Sequence, residues 1–110
     1  MEIEVKRTDE INILEIKGRI DSFTVPMVEK EMETVISMGE FKLIADLADV
    51  SYISSAGLRA FISALKEVRK HNGDLKLVAM QPSVSTVFKV AGFLKFFNIY
   101  DTIDDAVKSF

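Results

Sequence analysis

Glu2 to Thr8 alternates apolar and polar residues, with Ile3 and Val5 on one face, and this predicts a strand. Ile11 to Lys17 predicts a second strand, with Asp9-Glu10 as a tight hairpin turn between the two. Ile11 and Ile13 take one face of that strand, and Leu14 and Ile16 the other. Such a strand is expected to be covered on both sides for part of its length. Gly18 to Thr24 reads as a connection. Thr24-Val25-Pro26 then reads as a helix start, with threonine as the cap and proline in the first turn, where its missing N–H costs nothing. Val25, Val28, Met32 and Val35 or Ile36 form one apolar stripe, and Gly39 follows it as a terminator.

Phe41 to Leu47 carries the run Leu43-Ile44-Ala45, too short for a free-standing helix, and predicts a central buried strand. Val50 to Ser55 reads as a short polar turn after it. Leu58, Phe61, Ile62, Leu65 and Val68 form the clearest helical stripe in the chain. Lys66, Arg69, Lys70 and His71 crowd its end, where cations suit the helix dipole, and Asn72-Gly73 closes it. Leu75 to Met80 predicts a further strand, and Ser83 the cap of a short helix carrying Val84, Val87, Phe88 and Ala91. Phe97 to Tyr100 reads as a last strand and Asp104 to Phe110 as a short terminal helix. The order implies an α/β fold: a mixed sheet of four to five strands with an N-terminal hairpin, about four helices, and right-handed crossovers. Ligands and partners of such sheets meet the loops at the carboxyl ends of strands. Val50–Ser55 lies at such an end, and Asp21 follows the second strand.

Composition narrows the function. The 110 residues, without internal repeat or linker, are expected to form one domain over 1–110. Cysteine is absent and His71 is the only histidine, which excludes thiolate chemistry, disulfides and two-histidine mechanisms. A net charge of −3 argues against a nucleic-acid binder. No apolar run approaches a membrane span and Met1-Glu2-Ile3-Glu4 is not signal-like, so a cytoplasmic protein without membrane attachment is expected.

The candidate chemistry centres on Ser54-Ser55, where a helix should begin. Helix starts offer unpaired N–H groups and a positive dipole end. A serine there can cap the helix or accept a phosphate from a kinase. A catalytic serine is not supported: His71 stands more than ~20 Å along the same helix at about 1.5 Å per residue. Asp21, Asp46 and Asp49 can be read as oxygen ligands for a magnesium ion or as solvated turn carboxylates, the commoner case, so no metal is expected. Gly57 marks either close backbone approach or a permissive first turn. The five glycines are scattered singly, so no phosphate-cradling loop exists and no cofactor is expected. Phe88, Phe93, Leu94, Phe96, Phe97 and Tyr100 exceed what one short helix can bury, which leaves one or two for an exposed patch.

Gly18-Arg19-Ile20-Asp21, Asp46 through Leu58, and Pro82-Ser83-Val84 through Ala91-Gly92-Phe93 together resemble the bacterial anti-sigma factor antagonists, which are single STAS domains. The resemblance spans essentially the whole chain. It implies a STAS-like fold and places the family's phosphoacceptor on Ser55, with Ser54 where many members carry aspartate and so a second candidate acceptor. Ala56 replaces a second hydroxyl residue, and Arg59 a common glycine. Implied with it is a non-enzymatic switch in sigma factor regulation, stress responses included. Unphosphorylated protein binds an anti-sigma factor with serine kinase activity, a sigma factor is released, phosphorylation at Ser55 ends the interaction, and a serine phosphatase resets it. Asp21, Ser22, Phe23, Thr24, Tyr52, Ser54, Gly57 and Arg59 are the expected surroundings of the switch, in a monomer or weak dimer. The alternatives are a constitutive STAS scaffold or regulatory subunit whose serines only cap, and a small nucleotide- or anion-binding module.

Overall fold

A computed structural model describes all 110 residues, Met1–Phe110. The elements are β1 (Glu2–Thr8), β2 (Ile11–Ile20), α1 (Val25–Ser37), β3 (Lys42–Ile53), α2 (Ser55–Arg69), β4 (Asp74–Val78), α3 (Pro82–Val90), a 3-10 turn (Leu94–Phe96), β5 (Ile99–Tyr100) and α4 (Ile103–Lys108). They build a five-stranded sheet in the order β1-β2-β3-β4-β5. β1 runs antiparallel to β2, and every other pair is parallel. Asp9 takes the left-handed conformation (φ +56°) that closes the hairpin, a conformation aspartate tolerates.

Because the strand order advances without reversal, right-handed crossovers put their helices on one face of the sheet. The main core accordingly gathers Val28 and Met32 of α1, Phe61 and Leu65 of α2, and Val84 and Phe88 of α3 against Leu14, Ile16, Leu43 and Leu75. The opposite face is covered over part of its area by α4, where Ala106 packs with Ile11, Ile13, Ile44 and Val78. Ile11 through Leu14 are therefore buried from both sides, as the two-faced pattern of that strand requires.

Several boundaries differ from the sequence reading, among them β4, which ends at Val78 rather than Met80. Val50–Ser55 is not a turn, since β3 continues to Ile53. It can do so because β2 continues beside it to Ile20, pairing Lys17 with Asp49, Gly18 with Val50, Arg19 with Tyr52 and Ile20 with Ile53. Register shifts flank Gly18, which sits at φ +119°, and they break the apolar alternation that would have announced the longer strands. Ser83 does not cap α3: Gln81 is the N-cap and Pro82 opens the helix, the position its fixed φ favours. The last strand shrinks from the expected Phe97–Tyr100 to Ile99–Tyr100, and a 3-10 turn at Leu94–Phe96 precedes it. Phe88 and Phe97 are buried edge to face at 5.6 Å, Phe93 and Leu94 are half-buried, and Phe96 is exposed. Finally, α4 begins at Ile103 with Thr102 as a working cap, its hydroxyl accepting from the Asp105 amide at 3.1 Å.

Candidate functional site

β3 outruns β4. The pair Asp46–Val78 is the last rung between them, while β3 runs on to Ile53 with β2 alone as its strand neighbour. The free edge is closed by side chains from the start of α3. Gln81 Nε2 donates to the Ala48 carbonyl at 2.8 Å, and Ser83 Oγ to the Ser51 carbonyl at 3.0 Å. Unpaired backbone acceptors at a strand edge are thus satisfied, and a two-stranded tip is held in place. Neither residue was singled out for this role in the sequence, because edge closure depends on the unequal strand lengths.

The tip feeds α2 without a loop. The Ser54 amide donates to the Ile20 carbonyl at 2.8 Å, which ties the end of β3 to the end of β2. Ser54 is the N-cap, in extended conformation, and its Oγ accepts from the Gly57 amide at 3.2 Å. Ser55 is the first helical residue; it is solvent-exposed and its side chain makes no hydrogen bond. The two hydroxyls thus have different employment, one satisfying an orphan N–H and one free in solvent.

Gly57 explains the closeness of the junction. A Cβ at this position would lie 2.7 Å from Ile20 Cγ2 and 2.8 Å from Ile53 Cγ1, both on fully buried side chains. Its role is close approach of the helix to the strand ends, and the ordinary helical cost of glycine, ~1 kcal/mol against alanine, is the accompaniment.

On the neighbouring strand, Asp21 begins the β2–α1 junction. Its Oδ1 accepts from the amides of Phe23 (3.0 Å) and Thr24 (3.1 Å). Thr24 is the N-cap position of α1, yet it makes no side-chain cap bond. Its hydroxyl instead lies 2.6 Å from the Arg19 carbonyl and accepts from the Asp21 amide at 2.9 Å, so it closes the turn rather than the helix. Desolvation pushes the Asp21 carboxyl up, but the Phe23 and Thr24 amides, the Thr24 hydroxyl and the Arg19 guanidinium outweigh it, and the pKa falls below that of an ordinary aspartate. Phe23, held in this turn, is 90% exposed, an unusual position for a phenylalanine, and Ser22 beside it is also exposed.

The sites expected from the sequence therefore divide. Asp21, Thr24, Ser54 and Gly57 form the connected frame at the ends of β2 and β3. Tyr52 and Arg19 pair across the strands on the face opposite Ile20 and Ile53, with the guanidinium 4.4 Å from the ring centroid. Arg19, missed as a site residue, also reaches Asp21 at 4.0 Å. Arg59 is exposed one helical turn beyond Ser55, a spacing that puts both on one side of α2, and it has no ion-pair partner. Asp46 and Asp49 are not brought to Asp21: Asp46 lies within β3, accepting from the Ala48 amide, and Asp49 pairs along the strand with Lys17. No cluster of three potential ligands for a metal ion exists in the chain. No helix is long and apolar enough to cross a membrane. α2 opens without an acidic residue in its first turn and carries Lys66 and Arg69 in its last, so its N-terminal dipole end is left uncompensated by a carboxylate.

Comparison with known proteins gives the family and the fold. The model of the STAS domain family matches residues 2–106. Across its whole length the chain is 31% identical to BtrV of Bordetella bronchiseptica, covering 95% of that protein. It is 30% identical to the anti-sigma-B factor antagonist of Bacillus subtilis over 97% of this chain and 92% of that one. The fold matches that of the Bacillus protein SpoIIAA, an anti-sigma factor antagonist, in its unphosphorylated form with a TM-score of 0.85 at 20% identity, over 98% of this chain and 95% of the other. Against the phosphorylated form the TM-score is 0.78 at 19% identity, each chain covered to 98%.

Proposed function

The chain belongs to the STAS domain family, and we propose that its unphosphorylated form binds an anti-sigma factor with serine kinase activity, frees a sigma factor, and is switched off by phosphorylation of Ser55. The observation that carries this reading is the division of labour at the start of α2. Ser54 is occupied as the cap, and Ser55 stands exposed with a free hydroxyl on a helix held by Gly57. The similarity to an anti-sigma-B factor antagonist supports the partner class.

In this reading the chain is a substrate and a binding surface, not an enzyme. The kinase supplies the ATP, the γ-phosphoryl group passes to Ser55 Oγ as the hydroxyl loses its proton, and a serine phosphatase later hydrolyses the ester. One STAS domain over 1–110, acting in the cytoplasm as a monomer or weak dimer without cofactor, nucleic acid or membrane, suffices for the task.

The physics of the switch is local. A phosphoserine carries about −1.5 to −2 charges at pH 7. The N-terminal end of its own helix tolerates that charge, favouring it by roughly 0.3–1 kcal/mol. The fold therefore survives modification, in keeping with a fold neighbour, SpoIIAA, solved in both forms. The partner contact is the weak point. An uncompensated charge at a desolvated contact costs about 3–5 kcal/mol, while a hundredfold loss of affinity needs only about 2.7 kcal/mol. Asp21, kept ionised by its hydrogen bonds at the end of the adjoining strand, adds negative charge to the same end of the sheet.

The test is incubation of the protein with the anti-sigma kinases of its source organism and ATP, followed by phosphate mapping. One phosphate on Ser55, absent from Ser55→Ala, is expected. No modification by any of them favours the constitutive scaffold, and a phosphate on Ser54 moves the acceptor by one residue.

A further inference from the structure

Two grooves flank α2, and they differ in sign. The groove toward α1 is lined by Glu29, Glu33 and Glu67 beside Met32, Ile36 and Ala60. The other, about 280 Å³, lies between α2 and the 3-10 turn and is lined by Ile62, Leu65, Lys66, Arg69, Phe93 and Phe96. We propose that this second groove docks an acidic amphipathic segment of a partner protein.

Its floor is apolar and its rim is cationic. The Phe93 and Phe96 rings lie 6.1 Å apart, tilted by 48°, and Phe96 remains 44% exposed. Aromatic surface left open in a concave site gains most when a partner covers it. Lys66 lines the groove from α2, and Lys95 Nζ lies 5.5 Å from the ring centroid of Phe96, which lines it as well. Neither lysine has a carboxylate within 4.0 Å, whereas Arg69 is already held by Asp74 at 3.1 Å. One cation without a carboxylate partner thus lines an apolar channel, and a second lies beside its Phe96 ring, in a chain whose net charge is −3. A helix that lays Leu-type side chains into the channel and carries Glu or Asp on its flanks meets both requirements. A basic segment meets like charges here and finds its complement in the groove toward α1.

The rim continues toward the switch. Ser55, Arg59, Ile62, Lys66 and Arg69 follow one another at steps of four, three, four and three, which aligns them along one side of α2. A segment seated in the groove and prolonged toward the helix start meets Arg59, the unpaired cation one turn from Ser55.

The test needs no kinase, so its failure is distinguishable from failure of the phosphorylation reading. Isotope-labelled protein is titrated with a synthetic amphipathic helix of Leu and Glu and, separately, with its counterpart carrying Lys for Glu, while backbone amide shifts are followed. Shifts at Ile62, Lys66, Phe93 and Phe96 with the Glu peptide alone are expected. The exposed double variant Lys66→Glu with Lys95→Glu is expected to weaken that binding about tenfold, which corresponds to about 1.4 kcal/mol. Equal response to both peptides, shifts confined elsewhere, or undiminished binding by the double variant overturns the proposal. Shifts of the same four amides on raising the protein concentration alone, or on adding dodecanoate with an affinity exceeding that of the Glu peptide, overturn it in favour of self-association or a fatty acid.

Discussion

The β2–α1 and β3–α2 junctions end neighbouring parallel strands, yet they leave the sheet by opposite means. At β3–α2 there is no loop: Ser54 caps at once, its amide bonds to Ile20, and Gly57 lets the helix press on Ile20 and Ile53. At β2–α1 the chain turns through four residues held by the Asp21 carboxylate and the Thr24 hydroxyl, and Phe23 projects into solvent. One junction is rigid through apolar packing, which is indifferent to pH. The other is held by hydrogen bonds to a charge, which is not. The difference suits the proposed switch, with Ser55 on a close-packed platform beside the exposed Phe23 expected in the surroundings of the switch.

Packing dominates the first junction, so Gly57→Ala has the largest expected effect on stability. Forcing a Cβ against two buried isoleucines costs about 1–3 kcal/mol, offset in part by the better helix propensity of alanine. Thermal unfolding is expected to fall by roughly 4–8 °C for each kcal/mol lost in a domain of this size. Unchanged melting breaks the account of a close-packed junction. At the second junction, Phe23→Ser is expected to leave stability within about 0.5 kcal/mol, since the ring is solvated. The same variant is expected to weaken partner binding by about tenfold, as loss of an aromatic anchor does. Calorimetric unfolding and titration with the anti-sigma partner separate the two effects.

Smaller changes sharpen the contrast. Ser54→Ala removes the cap and is expected to cost about 1 kcal/mol in denaturant unfolding while leaving Ser55 available to the kinase. Loss of phosphorylation in Ser54→Ala with Ser55 intact would exchange the roles assigned to the two serines. Asp21 gives the smallest effect, visible only against pH. Its folded pKa is depressed, so its contribution is present above the ordinary aspartate pKa and is lost as pH falls through the lower folded value. Asp21→Asn is expected to remove this acid-side dependence, and an NMR titration of the wild-type carboxyl is expected to show it titrating below an ordinary aspartate. A carboxyl that titrates at or above the ordinary value contradicts the hydrogen-bonded turn.

The same contrast explains which features were legible in the sequence. Stripes that pack against one core announced themselves: Val25, Val28, Met32 and Val35 are the buried residues of α1, and the two-faced burial of Ile11 to Leu14 follows its apolar run. The extensions of β2 and β3 did not, because register shifts near Gly18 place Leu47, Val50 and Ile53 at intervals of three rather than two. A period of three in a short polar stretch reads as a turn. The cap of α3 was displaced for a similar reason: Ser83 has the right chemistry, but Pro82 fixes the helix start and leaves Ser83 to bond the β3 edge. Which of the two central serines caps was undecidable from residue type alone, since both are good caps. It is decided by where the Gly57 amide falls, and that depends on how closely α2 approaches the strands.

Whether charge at an exposed Ser55 ends partner binding is read by calorimetric titration of the anti-sigma kinase with unmodified protein, Ser55→Ala and Ser55→Asp. Ser55→Ala is expected to bind like the unmodified chain and Ser55→Asp about a hundredfold more weakly, a difference of about 2.7 kcal/mol. Ser55→Asp binding as tightly as the unmodified protein would contradict the proposed switch.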